Sequence, residues 1–121
     1  MKVVIDTNVL VSALLNHGGL PAKILEMFLD GRFDAVVNEE IMKEYELVLN
    51  RKKFGFNPGD ITDLLAYFRN YAAVAPSLPE TAEGNMTHED DRKFAEAATA
   101  AEADYLITGN LKHFIGIKIS N

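Results

Sequence analysis

Short apolar runs alternate with longer amphipathic segments along this chain. Runs rich in β-branched and other apolar residues are typical of strands and occupy residues 2–5, 35–37, 72–75 and 105–108. Between them, apolar residues recur every three or four positions, which predicts helices. The predicted helices cover residues 9–15, 21–30, 39–51, 61–71 and 90–103. Residues 76–88 are expected to form the longest loop, and residues 115–119 an edge strand.

Strands that alternate with helices predict an α/β fold with a mainly parallel central sheet, flanked by helices on both faces in three layers. The pattern contains no internal repeat and no interdomain linker, so residues 1–121 are expected to form a single domain. Functional side chains of such sheets gather at the carboxyl ends of the strands. Asp6 and Asn110 each follow a predicted strand, and both are expected at that edge.

The composition narrows the class of protein. Apolar residues make up 48% of the chain, and cysteine is absent, which excludes disulfide scaffolds, Cys-ligated zinc and thiol nucleophiles. No run approaches the roughly 18 apolar residues of a membrane span, and the N-terminus lacks the apolar region of a signal peptide, so we expect a cytoplasmic protein. The net charge of −6 argues against a surface for non-specific nucleic-acid binding. The net charge does not exclude a metal-dependent hydrolase, because bound cations neutralise the negative charge of catalytic carboxylates.

The triplet Asp6-Thr7-Asn8 leads out of the first strand. Asp and Thr are common N-cap residues, because their side-chain oxygen accepts a hydrogen bond from the first helical turn. A carboxylate at a strand end is also a suitable metal ligand. The triplet alone leaves capping and catalysis open.

Glu44 is the acidic residue that fits its predicted helix least easily. At 100° per residue it lies at the edge of the apolar face of the helix at residues 39–51. A charge there extends to solvent, pairs with a base such as Lys43 or Arg51, or takes part in a site. Glu40 lies near the same boundary and is the second choice for any role given to Glu44.

Glu89-Asp90-Asp91 forms an acidic group where an Ala-rich helix is predicted to begin. Negative charge is favourable at that position because of the helix dipole, which accounts for one or two of these residues. Asp91 precedes Phe94 by three and Ala98 by seven residues, so it shares their inward face and could reach the sheet edge. Thr108-Gly109-Asn110 is typical of a turn, and its oxygens can also complete a cation site.

Together these pieces resemble a PIN domain. The resemblance rests on Asp6-Thr7-Asn8 after a strand, Glu44 within a helix, Asp91 before an Ala-rich stretch, and the segment from Ala103 to Asn110. It covers nearly the whole chain, from Lys2 to about Ile117, and is strongest over residues 91–110. The chain looks most like the stand-alone bacterial and archaeal PIN proteins regarded as toxin components of toxin–antitoxin systems.

The resemblance implies a ribonuclease that holds Mg²⁺ or Mn²⁺ at the carboxyl end of a parallel sheet. Asp6, Glu44 and Asp91 match the three characteristic catalytic and metal-binding acids, and Asn110 stands at the fourth metal position, where many members have Asp. A neutral amide supports a second cation less well, which favours one metal ion, or a second that binds only with substrate. Asp104 precedes its strand and is expected at the opposite end of the sheet. The residues expected to support the site are Thr7, Asn8, Asp90 and Thr108.

Positive charge for an RNA substrate is sparse in this acidic chain. The candidates for RNA contact are Arg51, Lys52, Lys53, Arg92 and Lys93. Short basic runs also commonly serve only to solvate a surface. The resemblance further implies a separately encoded antitoxin and a homodimer, and no membrane partner is expected.

Other function classes stay open. A PIN-like binding module would keep the fold without turnover, and Asn110 favours it. A DNA-directed or structure-specific nuclease of the same fold would differ only in its substrate. A receiver-like signalling domain fits the size and charge, but the chain lacks a phospho-acceptor Asp at a central strand end with a Lys after a later one. Motifs for nucleotide phosphates, HExxH zinc sites and serine hydrolases are absent.

Overall fold

A four-stranded, all-parallel sheet forms the centre of the part of the chain that the structure describes. The computed structural model describes residues 1–76 and 89–108, and for residues 89–91 the backbone alone. The strands are β1 (Lys2–Ile5), β2 (Asp34–Val37), β3 (Ala73–Val74) and β4 (Tyr105–Ile107). Their order across the sheet is β3-β2-β1-β4, which places β1 between β2 and β4. All four predicted strands within the described residues are therefore confirmed.

Five α-helices lie in the described part of the chain, each within a few residues of its predicted bounds. They are α1 (Thr7–Leu15), α2 (Leu20–Leu29), α3 (Glu39–Leu49), α4 (Pro58–Tyr71) and α5 (Glu89–Ala100). A short 3₁₀ helix at Lys52–Phe54 follows α3, where the pattern predicts no separate element. No described helix is long and apolar enough to cross a membrane.

Local side chains explain where the helices begin. Asn38 caps α3 by accepting a hydrogen bond from the Ile41 N–H at 2.8 Å. Asn57 caps α4 in the same way, with the Gly59 N–H at 2.7 Å, and Pro58 fits the first helical turn because its fixed φ suits a helix. These caps satisfy N–H groups that would otherwise lack an intrahelical partner.

Helices cover both faces of the sheet. Consecutive residues of a strand point to opposite faces, yet Val3, Val4 and Ile5 of β1 are all at most 1% exposed. The strand order reverses at β1, and right-handed crossovers then place α5 on the face opposite α1 to α4. The predicted parallel α/β fold with helices on both faces is confirmed.

The register of the sheet brings the carboxyl ends of β1 and β4 together. Val4 pairs with Leu106, and Ile5 pairs with Ile107, so the residues that follow these strands are neighbours in space. The Asp6 backbone N–H continues the ladder by donating to the Ile107 carbonyl at 2.9 Å. The strand predicted at residues 115–119 lies outside the described residues, as does all but the first residue of the loop predicted at residues 76–88.

Candidate active site

Asp6 lies at the carboxyl end of β1, where the chain turns into α1. Its Oδ1 accepts a hydrogen bond from the Asn8 N–H at 3.3 Å, as an N-cap does, and its Oδ2 accepts one from the Thr108 hydroxyl at 2.8 Å. The residue is only 6% exposed, which is unusual for a carboxylate. Asp6 can therefore cap α1 and also take part in a site, because its two carboxylate oxygens have different partners.

Thr7 connects this strand end to α3. Its hydroxyl is buried and donates a hydrogen bond to Oε2 of Glu44, which lies 37 residues further along the chain. Thr7 follows Asp6 directly, and the negative charges of Asp6 and Glu44 both act on the buried Tyr45 hydroxyl, so the two carboxylates lie at the same edge of the sheet. The structure thus brings Glu44 to the strand end, whereas the exposed Glu40 lies on the solvent side of α3.

Lys93 is the base that pairs with Glu44. Its Nζ lies 2.9 Å from Glu44 Oε1, and the two side chains are 15% and 23% exposed, respectively. Helix position alone offered Lys43 or Arg51 as partners, but both of these residues are exposed. The two oxygens of Glu44 therefore have different partners, a hydroxyl on one side and an ammonium on the other.

Tyr45 lies beneath the two carboxylates, on the buried face of α3. It is completely buried, and its hydroxyl donates to the Ile5 carbonyl at 2.6 Å. Burial, and then the negative charges of Asp6 and Glu44, raise the pKa of Tyr45 well above its ordinary value. The phenol therefore stays protonated and ties α3 to the last residue of β1. Periodicity cannot reveal such a bond, because it scores Tyr as apolar.

The oxygen donors at this edge fit a hard divalent cation. Carboxylates of Asp6 and Glu44 and hydroxyls of Thr7 and Thr108 are the ligand types that Mg²⁺ and Mn²⁺ prefer. Two carboxylates and one ammonium leave a local charge of −1, which attracts a further cation. Among the side chains that the structure describes, no three His, Cys, Asp or Glu residues converge. Asp6 and Glu44 are therefore the described carboxylates of the candidate ligand set.

The other predicted site residues fall into three groups. Asp90 and Asp91 belong to the first turn of α5, but their side chains, like all of Asn110, lie outside the described residues. Asn8 is exposed and contributes its backbone N–H to Asp6. Asp104 lies at the opposite end of the sheet, as predicted, where its Oδ2 accepts from the Lys2 N–H at 2.9 Å.

The basic candidates for RNA contact also differ from one another. Arg51, Lys52 and Lys53 are exposed at and beyond the end of α3. Arg92 pairs with Glu96 on its own helix at 3.3 Å. Lys93 is directed to Glu44 instead, so its position differs from that of a residue on an open basic surface.

Comparison with known proteins assigns the family. A family model described as PIN domain matches residues 2–112 of this chain. The chain belongs to the PIN-domain family. PIN domains have a nuclease-type fold and are usually metal-dependent hydrolases, which agrees with paired carboxylates at the carboxyl end of a parallel sheet.

Two relatives show how far the similarity extends. The uncharacterized protein MJ1680 of Methanocaldococcus jannaschii is 33% identical over 124 aligned positions, which cover all of this PIN-domain chain and 77% of the relative. A tRNA(His) guanylyltransferase of Neurospora crassa is 32% identical over 71 residues, which cover 59% of this chain and 22% of that enzyme. No solved structure matches the chain.

Proposed function

We propose that this PIN-domain chain is a Mg²⁺- or Mn²⁺-dependent endoribonuclease that hydrolyses phosphodiester bonds of RNA. The observation that carries the proposal is that the Thr7 hydroxyl, directly after Asp6, binds Glu44 and so brings a second carboxylate to the carboxyl end of β1. These carboxylates come from elements far apart in sequence, and Glu44 also lies against a largely buried ammonium. A cation site accounts for that concentration of charge better than capping alone, because capping needs only Asp6.

Each residue of the proposed site has a role. Asp6 and Glu44 would bind the cation, and the resemblance adds Asp91 as a third acid and the Asn110 amide oxygen as a further ligand. Thr108 and Thr7 hold Asp6 and Glu44 in place, because their hydroxyls fix one oxygen of each carboxylate. When bound, the divalent ion supplies an activated water and offsets the charge that develops on the scissile phosphate. The chain then needs no nucleophile of its own.

The substrate class rests on the exposed basic segment after α3. Arg51, Lys52 and Lys53 are exposed, and the Lys53 Nζ lies 5.2 Å from the centre of the Phe54 ring. Phe54 in turn stacks on Phe56 with ring centres 5.5 Å apart. Positive charge beside aromatic rings is the combination that contacts single-stranded RNA, where phosphates and unpaired bases are both accessible.

A PIN-like binding module is the second candidate, and one observation favours it. The Lys93 ammonium lies 2.9 Å from Glu44, so it neutralises part of the negative charge of the described site without a metal ion. In that case the chain would bind RNA at the same edge without cleaving it. Cleavage in the presence of Mn²⁺ separates the two candidates.

The toxin role rests on resemblance and on nothing in the site itself. We propose that the chain acts in the cytoplasm as the toxin of a toxin–antitoxin pair, masked by a separately encoded antitoxin, and that two copies associate. A small upstream gene for a DNA-binding protein would support this proposal. An unrelated gene neighbourhood would contradict the toxin role.

The test is Mn²⁺-dependent cleavage of a panel of single-stranded, hairpin and transfer RNAs, with DNA strands of the same sequences. We expect RNA cleavage by the wild-type chain and its loss in EDTA, in Asp6→Asn and in Asp91→Asn. Glu40→Gln is the matched control, since it removes a carboxylate from the exposed side of α3 and should cleave normally.

Three results would change the proposal. Cleavage that persists in Asp6→Asn and Asp91→Asn would contradict the site. Cleavage of DNA in preference to RNA would replace the substrate class with that of a DNA-directed nuclease. Metal-bound wild type that binds RNA without cutting any member of the panel would favour the binding module.

A further inference from the structure

Lys93 contacts one of the two carboxylate oxygens of Glu44. Its Nζ lies 2.9 Å from Oε1, the carboxylate oxygen that does not accept the Thr7 hydroxyl. The contact joins residues 49 positions apart, on α3 and α5, so it is a property of the tertiary fold. These two helices lie on opposite faces of the sheet and approach each other at this edge.

The neighbouring side chains hold the Lys93 ammonium in place. The side chain is 15% exposed, so most of the aliphatic stem is covered, and the Nζ lies 5.5 Å from the centre of the buried Phe94 ring. A half-buried ion pair is screened less by solvent than a surface pair. Since Asp6 adds a second negative charge nearby, the ammonium is attracted to the carboxylate pair as a whole.

We propose that Lys93 is a tethered counter-ion that competes with the divalent cation for Glu44. The inference rests on the proposed metal site and adds regulation to it. Without metal, the ammonium reduces repulsion between Asp6 and Glu44 and keeps the site folded. Metal binding requires that the ammonium leave Oε1, and the apparent affinity for the cation is lowered by the fraction of molecules in which Lys93 remains paired.

The competition predicts opposite effects of one substitution. Lys93→Met keeps the covered stem but removes the charge, so Mn²⁺ should bind about three- to tenfold more tightly than in wild type, as expected when a competing conformer is lost. The same variant should melt about 2–5 °C lower in EDTA, because two carboxylates then lack their counter-ion. Added Mn²⁺ should remove that difference.

Two variants make the test specific. Lys43→Met removes the same charge next to Glu44 in sequence, but from an exposed position, and should leave the Mn²⁺ affinity within about twofold of wild type, as expected for a screened charge. Lys93→Arg keeps the positive charge and should retain the lower affinity of wild type. Affinities are measured by calorimetric titration of the full chain with Mn²⁺ at fixed ionic strength.

The outcomes separate this inference from the proposed function. Tighter Mn²⁺ binding by Lys93→Met, with neither protein cleaving RNA, would support the counter-ion and contradict the nuclease. Equal or weaker Mn²⁺ binding by Lys93→Met would overturn the counter-ion, while cleavage by wild type would leave the nuclease standing. If neither protein binds Mn²⁺, both are overturned.

Discussion

The two ends of β1 have an aspartate each, in different surroundings. At the amino end, Asp104 accepts from the Lys2 N–H at 2.9 Å, and its own N–H donates to the Lys2 carbonyl at 2.8 Å. At the carboxyl end, Asp6 accepts from the Asn8 N–H and the Thr108 hydroxyl. Both aspartates therefore hold backbone in place, and that role does not distinguish them.

The two ends of β1 differ because a second carboxylate is present only beside Asp6, among the side chains that the structure describes. At the carboxyl end, Thr7 follows Asp6 and donates to one carboxylate oxygen of Glu44, while Lys93 contacts the other oxygen of Glu44. Asp6 is buried, whereas Asp104 is only partly so. A strand-end aspartate thus becomes a candidate ligand when another element brings a second charge to it, and its own position on the strand is not sufficient.

The largest expected effect is on cleavage by Asp6→Asn compared with Asp104→Asn. The amide keeps an oxygen that can cap α1, so the fold should persist, but the loss of a metal-binding charge should lower the rate by about 100-fold or more, the scale typical of a lost electrostatic group. Asp104→Asn should stay within about threefold of wild type, because the amide oxygen still accepts from Lys2. Initial rates at saturating Mn²⁺ measure both. Similar losses in the two variants would remove the distinction between the two ends.

The next effect compares Glu44→Gln with Glu40→Gln. Removal of the Glu44 charge should weaken Mn²⁺ binding by about 10- to 100-fold, since one carboxylate ligand is lost and the released Lys93 charge repels the ion. Glu40→Gln should bind Mn²⁺ as wild type does, because that side chain is exposed. Titration calorimetry provides the comparison. A wild-type affinity in Glu44→Gln would show that α3 does not contribute to the site.

A smaller effect is expected on stability in Tyr45→Phe. The ring remains in the core, but the buried Ile5 carbonyl loses its donor, which should lower the free energy of unfolding by about 1–2 kcal/mol. Tyr71→Phe alters a side chain that is 64% exposed and should leave stability unchanged. Chemical denaturation of each variant gives the free energies. An unchanged value in Tyr45→Phe would mean that the hydroxyl does not fix α3 to β1.

The smallest expected effect concerns RNA contact. Lys52→Gln should raise KM about twofold to threefold with kcat unchanged, because one phosphate contact is lost while the reacting groups stay in place. Lys23→Gln, on the exposed side of α2, is the matched control and should leave KM unchanged. Kinetics at two salt concentrations would reveal the contact. A fall in kcat alone would contradict a purely binding role.

Much of the fold follows from the sequence because periodicity and caps are local. Asn38 and Asn57 cap α3 and α4, a role for which Asn is well suited, and β1 is a short apolar run that ends at Asp6. The 3₁₀ helix at Lys52–Phe54 is missed, since three residues are too short for any periodicity.

The candidate site is only partly predictable, because its contacts join distant residues. The apolar pattern shows that Glu44 lies at an unusual position, but it does not identify Lys93, which is 49 residues away, as its partner. Lys93 was predicted from its charge as an RNA contact. The Tyr45 hydroxyl bond to Ile5 spans 40 residues and is equally invisible to a local pattern.

Paramagnetic broadening by Mn²⁺ tests most directly the claim that the cation site lies at the carboxyl end of β1. The Cα atoms of Lys2 and Asp6 are about 13 Å apart along the extended strand, and the broadening of amide signals falls steeply with distance from the ion. At substoichiometric Mn²⁺ we expect the amide signals of Thr7, Glu44 and Thr108 to disappear while those of Lys2 and Asp104 remain. Earlier loss of the Lys2 and Asp104 signals, or equal loss at both ends, would contradict the account.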